Sequence, residues 1–160
     1  MIRTLIPLAA VAALLAACSN EPKPVAAGEQ AAVSVTGALC RPTPVGRQST
    51  GCYLTLTSTA ADRLVSLSTP VAGRVEIHES RIESNMMMMR ELREGLPLPA
   101  GQTVELKPGG NHIMLLAVTA PLTEGQTIPL TLNFATATPV VVQATIGQPP
   151  VDEYGTHTGH

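Results

Sequence analysis

From residue 33 onward the chain is a succession of short runs rich in Val, Ile, Leu, Thr and Met, near 33–40, 51–58, 63–68, 73–80, 86–92, 103–107, 111–118, 128–134 and 139–146. Turn-forming residues separate them, at Pro42 to Gly46, Thr69 to Gly73, Pro97 to Gly101, Pro108 to Asn111 and Pro121 to Gly125. No run is long enough to sustain the 3.6-residue period of a stable helix, so the pattern predicts an all-β domain, a sandwich or a barrel. The core must be aliphatic, because the chain has no Trp, one Phe (Phe134), two Tyr and six Met. So few aromatic rings leave no stacking platform for sugars or bases. A net charge of −2 gives nucleic acid nothing to bind.

The first twenty residues follow a different logic. Arg3 precedes the thirteen-residue apolar run Leu5 to Ala17, which is shorter than the roughly 20 residues a membrane-spanning helix needs. Residues 1–17 therefore read as a secretory signal peptide. Leu15-Ala16-Ala17-Cys18 resembles the lipobox of bacterial lipoproteins, which implies cleavage before Cys18, lipid attachment to its thiol, and a membrane anchor. By the same resemblance Ser19, in the place of an Asp, favours the outer membrane. Residues 18–30, with the Pro- and Ala-rich NEPKPVAAGEQ, read as a flexible tether. Residues 31–147 form the domain, and 148–160 a mobile tail that holds His157 and His160.

Two further cysteines, Cys40 and Cys52, flank the turn-rich segment RPTPVGRQSTG at the edges of two strand-like runs. In an exported chain a disulfide across that hairpin is expected. A thiolate metal site is the competing reading.

The chemistry concentrates further along. In Arg74-Val75-Glu76-Ile77-His78-Glu79 strand alternation puts Val75 and Ile77 on one face and Glu76 and His78 on the other, so His78 points away from the core. Four consecutive methionines follow the turn Glu83-Ser84-Asn85. A period of two places Met87 and Met89 on one face and Met86 and Met88 on the other, so at least one pair is more exposed than a core requires. After Pro108-Gly109-Gly110, His112 and Met114 share a strand face. Two imidazoles and two thioethers form a soft to borderline donor set that suits Cu(I) and fits Mg, Ca or Mn poorly. Zinc favours His, Cys and carboxylate over Met. A methionine run alone reads equally well as adaptable core filling; the joint spacing is what separates the two readings.

That spacing is His78, ten residues, Met89, twenty-two residues, His112, one residue, Met114. It closely resembles the signature of the periplasmic copper chaperones of the PCu(A)C family. The resemblance runs from about Val33 to Gly147 and includes Tyr53-Leu54-Thr55-Leu56, Gly73-Arg74-Val75-Glu76-Ile77-His78-Glu79, Leu98-Pro99-Ala100-Gly101 and Val104-Glu105-Leu106-Lys107-Pro108-Gly109-Gly110. It implies a cupredoxin-like Greek-key β-sandwich with His78, Met89, His112 and Met114 as Cu(I) ligands. It further implies a carrier that hands copper to a periplasmic or membrane partner, an oxidase subunit or its assembly factor. Relatives commonly carry Met where Ser80 stands, and Met87, on the face of Met89, is the local substitute. The Cys40/Cys52 pair is a second departure and reads as an added staple.

No nucleophile–base pair or paired carboxylates stand out, so the chain is not expected to be an enzyme. An electron-transfer cupredoxin would need a His₂Cys set, and neither cysteine is near the His/Met strands in sequence. The reading from another class is a structural or adhesive lipoprotein with an immunoglobulin-like sandwich. His157 and His160, three residues apart in the tail, are candidates for a looser Cu(II) site.

Overall fold

A computed structural model describes residues 31–150. Ten strands follow in order: β1 (Val33–Cys40), β2 (Ser49–Ser58), β3 (Asp62–Ser68), β4 (Ala72–Glu83), β5 (Met86–Glu91), β6 (Leu96–Leu98), β7 (Thr103–Leu106), β8 (Asn111–Val118), β9 (Thr127–Phe134) and β10 (Val140–Ile146). Among the described residues there is no helix. The signal peptide, Cys18, the tether and the tail histidines His157 and His160 lie outside the described residues.

Hydrogen bonding links the strands in the order β5-β4-β8-β2-β1-β10-β9-β3-β6, with β7 also on β2. All pairings are antiparallel except β1 with β10. The two halves meet through β2, whose first part (Ser49–Cys52) pairs with β8 while its second (Leu54–Thr57) pairs with β7. The sheet closes over one aliphatic cluster that takes Ile77, Ile113 and Leu115 from the β4/β8 half and Leu64, Leu130, Leu132 and Ile146 from the other. Burying each such side chain contributes roughly 1.5–3 kcal/mol, which is how a chain nearly free of aromatic residues holds a core. β2 shows the cause most simply: every second residue from Thr50 to Ser58 is buried, and the alternate ones face outward.

Three of the expected boundaries shift. The runs expected at 51–58 and 73–80 extend to Ser49–Ser58 and Ala72–Glu83. The segment read as a turn from Pro97 begins instead with the short strand β6, in which Leu96 and Leu98 are buried 4% and 1% exposed, respectively, and pair with β3. β6 ends the strand order, where a proline breaks no ladder on its outer side. Gly95 precedes it with φ 80°, and any Cβ there would collide with the Leu64 carbonyl.

The Cys40/Cys52 pair lies directly opposite across β1 and β2 and forms a disulfide, with both residues fully buried. The thiolate reading is thereby closed.

Candidate metal centre

The register of three neighbouring strands assembles the site. On β4 and β8, His78 is opposite His112 and Glu76 opposite Met114; on β4 and β5, Ser80 is opposite Met89 and Ile82 opposite Met87. Residues directly opposite share a face. His78, His112, Met114, Met89 and Met87 therefore occupy one face, the outer one, since Ile77 and Ile113 between them point into the core. The structure brings together all four residues expected as ligands, and Met87 beside them.

Outward does not mean exposed. His112 is only 5% exposed, although its strand face is the solvent side. It lines an open groove of about 560 Å³ together with Met89, Met114, Gly51, Tyr53, Gln148 and the β1–β2 loop from Arg41 to Val45. Gly51 is opposite Met114 and lacks a side chain; a Cβ there would stand 3.2 Å from the Tyr53 hydroxyl, so the phenol lies across it. Strand alternation gives the direction of His112, while the loop and Tyr53, with which it lines the groove, come from elsewhere in the chain.

Each imidazole is held by a partner that can only accept a hydrogen bond, which fixes the tautomer of the neutral ring. Nδ1 of His112 donates to the Gly110 carbonyl at 2.9 Å, leaving the Nε2 lone pair free. Nε2 of His78 donates to Oε2 of Glu76 at 2.8 Å, leaving the Nδ1 lone pair free. That Nδ1 is buried and has no hydrogen-bond partner, a costly state for a polar atom unless something else satisfies it. The two rings meet edge to face, centroids 5.8 Å apart. Burial pushes the His112 imidazole below its ordinary range, against the opposing effect of its hydrogen bond to the Gly110 carbonyl. It is thus kept neutral, as a metal ligand must be. The hydrogen bond from His78 holds the Glu76 carboxyl below its ordinary range despite burial, with Arg74 adding to the effect.

The donor set fits a soft ion. Among the described residues no three His, Cys, Asp or Glu side chains gather into a metal site, so donors beyond the two imidazoles here are thioethers. Cys52 is nearer in space than in sequence, opposite Ile113 between His112 and Met114, but its sulfur is on the core side and bonded to Cys40. A His₂Cys site is therefore closed off. Reading the residues in sequence singled out His78 but not its partner Glu76, although the alternation that put both on one face was the available signal. Tyr53 and the β1–β2 loop left no such trace.

Comparison with known proteins agrees with this geometry. Residues 33–146 match the family model "Putative lipoprotein LpqE-like". The Leifsonia xyli subsp. xyli (strain CTCB07) protein "Putative lipoprotein Lxx21020" is 38% identical over 81 residues, 49% of this chain and 49% of its own length, so the match spans about half of that relative. Among solved structures, the apo PCuAC domain from PmoF1 is similar with a TM-score of 0.61 at 25% identity, covering 73% of this chain and 94% of that domain. Copper(I)-loaded DR1885 from Deinococcus radiodurans gives a TM-score of 0.60 at 27% identity, covering 78% and 85%. A copper-bound PCuAC domain from PmoF2, at 21% identity and a TM-score of 0.61, shares the fold. The architecture is cupredoxin-like and all-β, as the sequence implied. The chain belongs to the LpqE-like lipoprotein family, whose domain is of the PCuAC copper-chaperone type.

Proposed function

We propose that this protein is an exported, lipid-anchored copper(I) carrier that loads the His78, Met89, His112 and Met114 centre and passes the ion to a copper-accepting protein. The observation that carries the reading is the strand register, which lines up two imidazoles, one with a buried, unpartnered nitrogen, beside two thioethers. Thioethers and neutral imidazoles bind Cu(I) without the charge of a thiolate. A groove open to solvent on the Met89 side lets an incoming ligand displace them one at a time. The family and its structural neighbours are copper-chaperone domains rather than enzymes.

The finer assignments follow from the same reading. The recipient is an oxidase subunit or its assembly factor, reached from an outer-membrane anchor at Cys18, and His157 with His160 hold Cu(II) more loosely. Titrating the full chain in detergent with Cu(I) against a chelator of known affinity tests the centre. One tight equivalent is expected, weakened at least about 100-fold in His112→Ala with Met114→Ala, since two of its four donors are gone. Absence of a tight equivalent, or an affinity unchanged by the double substitution, overturns the carrier reading and favours a structural lipoprotein. Capture of an oxidase component by the copper-loaded chain alone tests the recipient. A Cu(II) stoichiometry unchanged on deleting residues 151–160 removes the tail site.

A further inference from the structure

The centre uses one face of the β4–β5 hairpin, and the other face also carries methionine. Pairing of β4 with β8 ends at Glu79 opposite Asn111, so residues 81–88 project as a two-stranded ribbon paired only with each other. Its turn is the two-residue kind with positive φ at both positions, 50° at Ser84 and 65° at Asn85. Both sides of the ribbon are therefore open, and all four methionines are exposed, Met86 62%, Met87 55%, Met88 45% and Met89 53%. Met87 and Met89 face the centre. Met86 and Met88 face away, opposite Glu83 and Arg81, and fill no core. We propose that Met86 and Met88 form a second, weaker Cu(I) site on the back of the hairpin, separate from the His/Met centre.

Alternate positions on a strand stand about 7 Å apart, a gap that two unbranched, flexible thioether arms converging from one face can close around a single ion. The surrounding charges do not oppose a cation. Arg81 is paired with Glu83 and Glu79, and Arg90 with Glu79, so both cations of this face are already neutralised and the Glu83 carboxylate stands directly across from Met86. Being open to water and having two thioethers, the site holds the ion loosely, as suits a place where copper arrives before the four-donor centre takes it.

The test titrates the full chain in detergent, carrying ¹³C-labelled methionine methyls, with Cu(I) and with Ag(I) as its redox-inert surrogate. A second equivalent is expected at least tenfold weaker than the first, with Met86 and Met88 methyls shifting as it fills. Met86→Leu with Met88→Leu abolishes that equivalent and leaves the first intact. A single equivalent in the wild type, or a second that survives the double substitution, overturns the proposal. Because the first equivalent is read separately through His112→Ala with Met114→Ala, failure here is distinguishable from failure of the carrier reading.

A different observation assigns a positioning residue. The contact of His78 Nε2 with Glu76, itself paired with Arg74, gives the single proton of the neutral ring to Nε2 and leaves the buried Nδ1 without a partner. We infer that Glu76 sets the tautomer with which His78 presents Nδ1 to copper, an inference that rests on the carrier reading for its ligand. Long-range imidazole ¹H–¹⁵N spectra of the apo chain at about pH 8, above the ordinary histidine range, should show His78 protonated on Nε2. Glu76→Leu should give a tautomer mixture at His78, leave His112 unchanged, and raise the Cu(I) dissociation constant roughly 10- to 100-fold. A wild-type proton on Nδ1, or an unchanged tautomer in the variant, overturns the assignment. The spectra contain no copper and stand whatever the titration shows.

Discussion

Two hairpins of this molecule are built for opposite ends. The β1–β2 hairpin is joined across its ladder by the Cys40–Cys52 disulfide, with both sulfurs in the core and every second residue of β2 buried. The β4–β5 hairpin has no covalent tie, exposes all six residues of β5, and reaches past the end of its neighbour β8. The centre is on the sheet between them, with His112 and Met114 on β8 bonded to β2 on one side and to β4 on the other. Sulfur on one side of the sheet fixes the backbone as disulfide. Sulfur on the other side stays free as thioether, available to the ion of the proposed carrier. An oxidising compartment permits both, because a thioether cannot be consumed by disulfide formation, although it can be oxidised to sulfoxide.

Removing the staple should have the largest effect. Cys40→Ala with Cys52→Ala closes no loop in the unfolded chain and should lower stability by about 3 kcal/mol, given the sequence separation of 12. Denaturant unfolding with and without reductant measures it. If the division between the hairpins is real, Cu(I) affinity at temperatures where the variant is folded stays within a few-fold of wild type. Next, Met89→Leu should raise the Cu(I) dissociation constant at least tenfold, about 1.4 kcal/mol, with the unfolding midpoint unmoved because the residue is half exposed. A midpoint that falls with it would merge the two regions into one structural role.

Asp62 sharpens the stable side further. Burial raises its carboxyl, but the backbone N–H groups of Ala137 and Arg63, at 2.8 Å, and Thr136, at 3.0 Å, outweigh that and hold it below the ordinary carboxylate range. A carboxyl depressed in the folded state stabilises above its unfolded value, about 3.9, and loses that contribution as pH falls through the folded value. Asp62→Asn should therefore cost roughly 1–2 kcal/mol at pH 7. The difference between wild type and variant should start to shrink only as pH falls below about 3.9 toward the lower folded value, while copper binding at neutral pH is unaffected. The smallest effect is expected for Met87→Leu, a two- to threefold loss of Cu(I) affinity on the order of 0.5 kcal/mol, through its place beside Met89 on the ligand face. No loss at all would mean that Ser80, across from Met89, needs no substitute for the methionine common at its position in relatives.

Much of the fold was legible because its signals are local. Turn residues and β-branched runs located nine of the ten strands; β6 escaped because a proline sits between its two leucines, and only pairing with β3 at the end of the strand order makes that tolerable. The faces of His78, Met87, Met89 and Met114 followed from a period of two. The burial of His112 did not, because the groove it lines is shared with Tyr53 and the Arg41 to Val45 loop, which are far away in sequence. Nor could spacing show that Cys52 lies beside the His112 strand yet points to its other side.

By itself the sequence determined which residues bear soft donors, which strand face each takes, and where the chain turns, since backbone alternation and turn chemistry act over a few residues. Register decided the rest. It set His78 opposite His112, Glu76 opposite Met114 and Met89 opposite Ser80, and so brought donors from three strands onto one face. Those are alignments between strands tens of residues apart, fixed by one shared hydrophobic core rather than by any local preference.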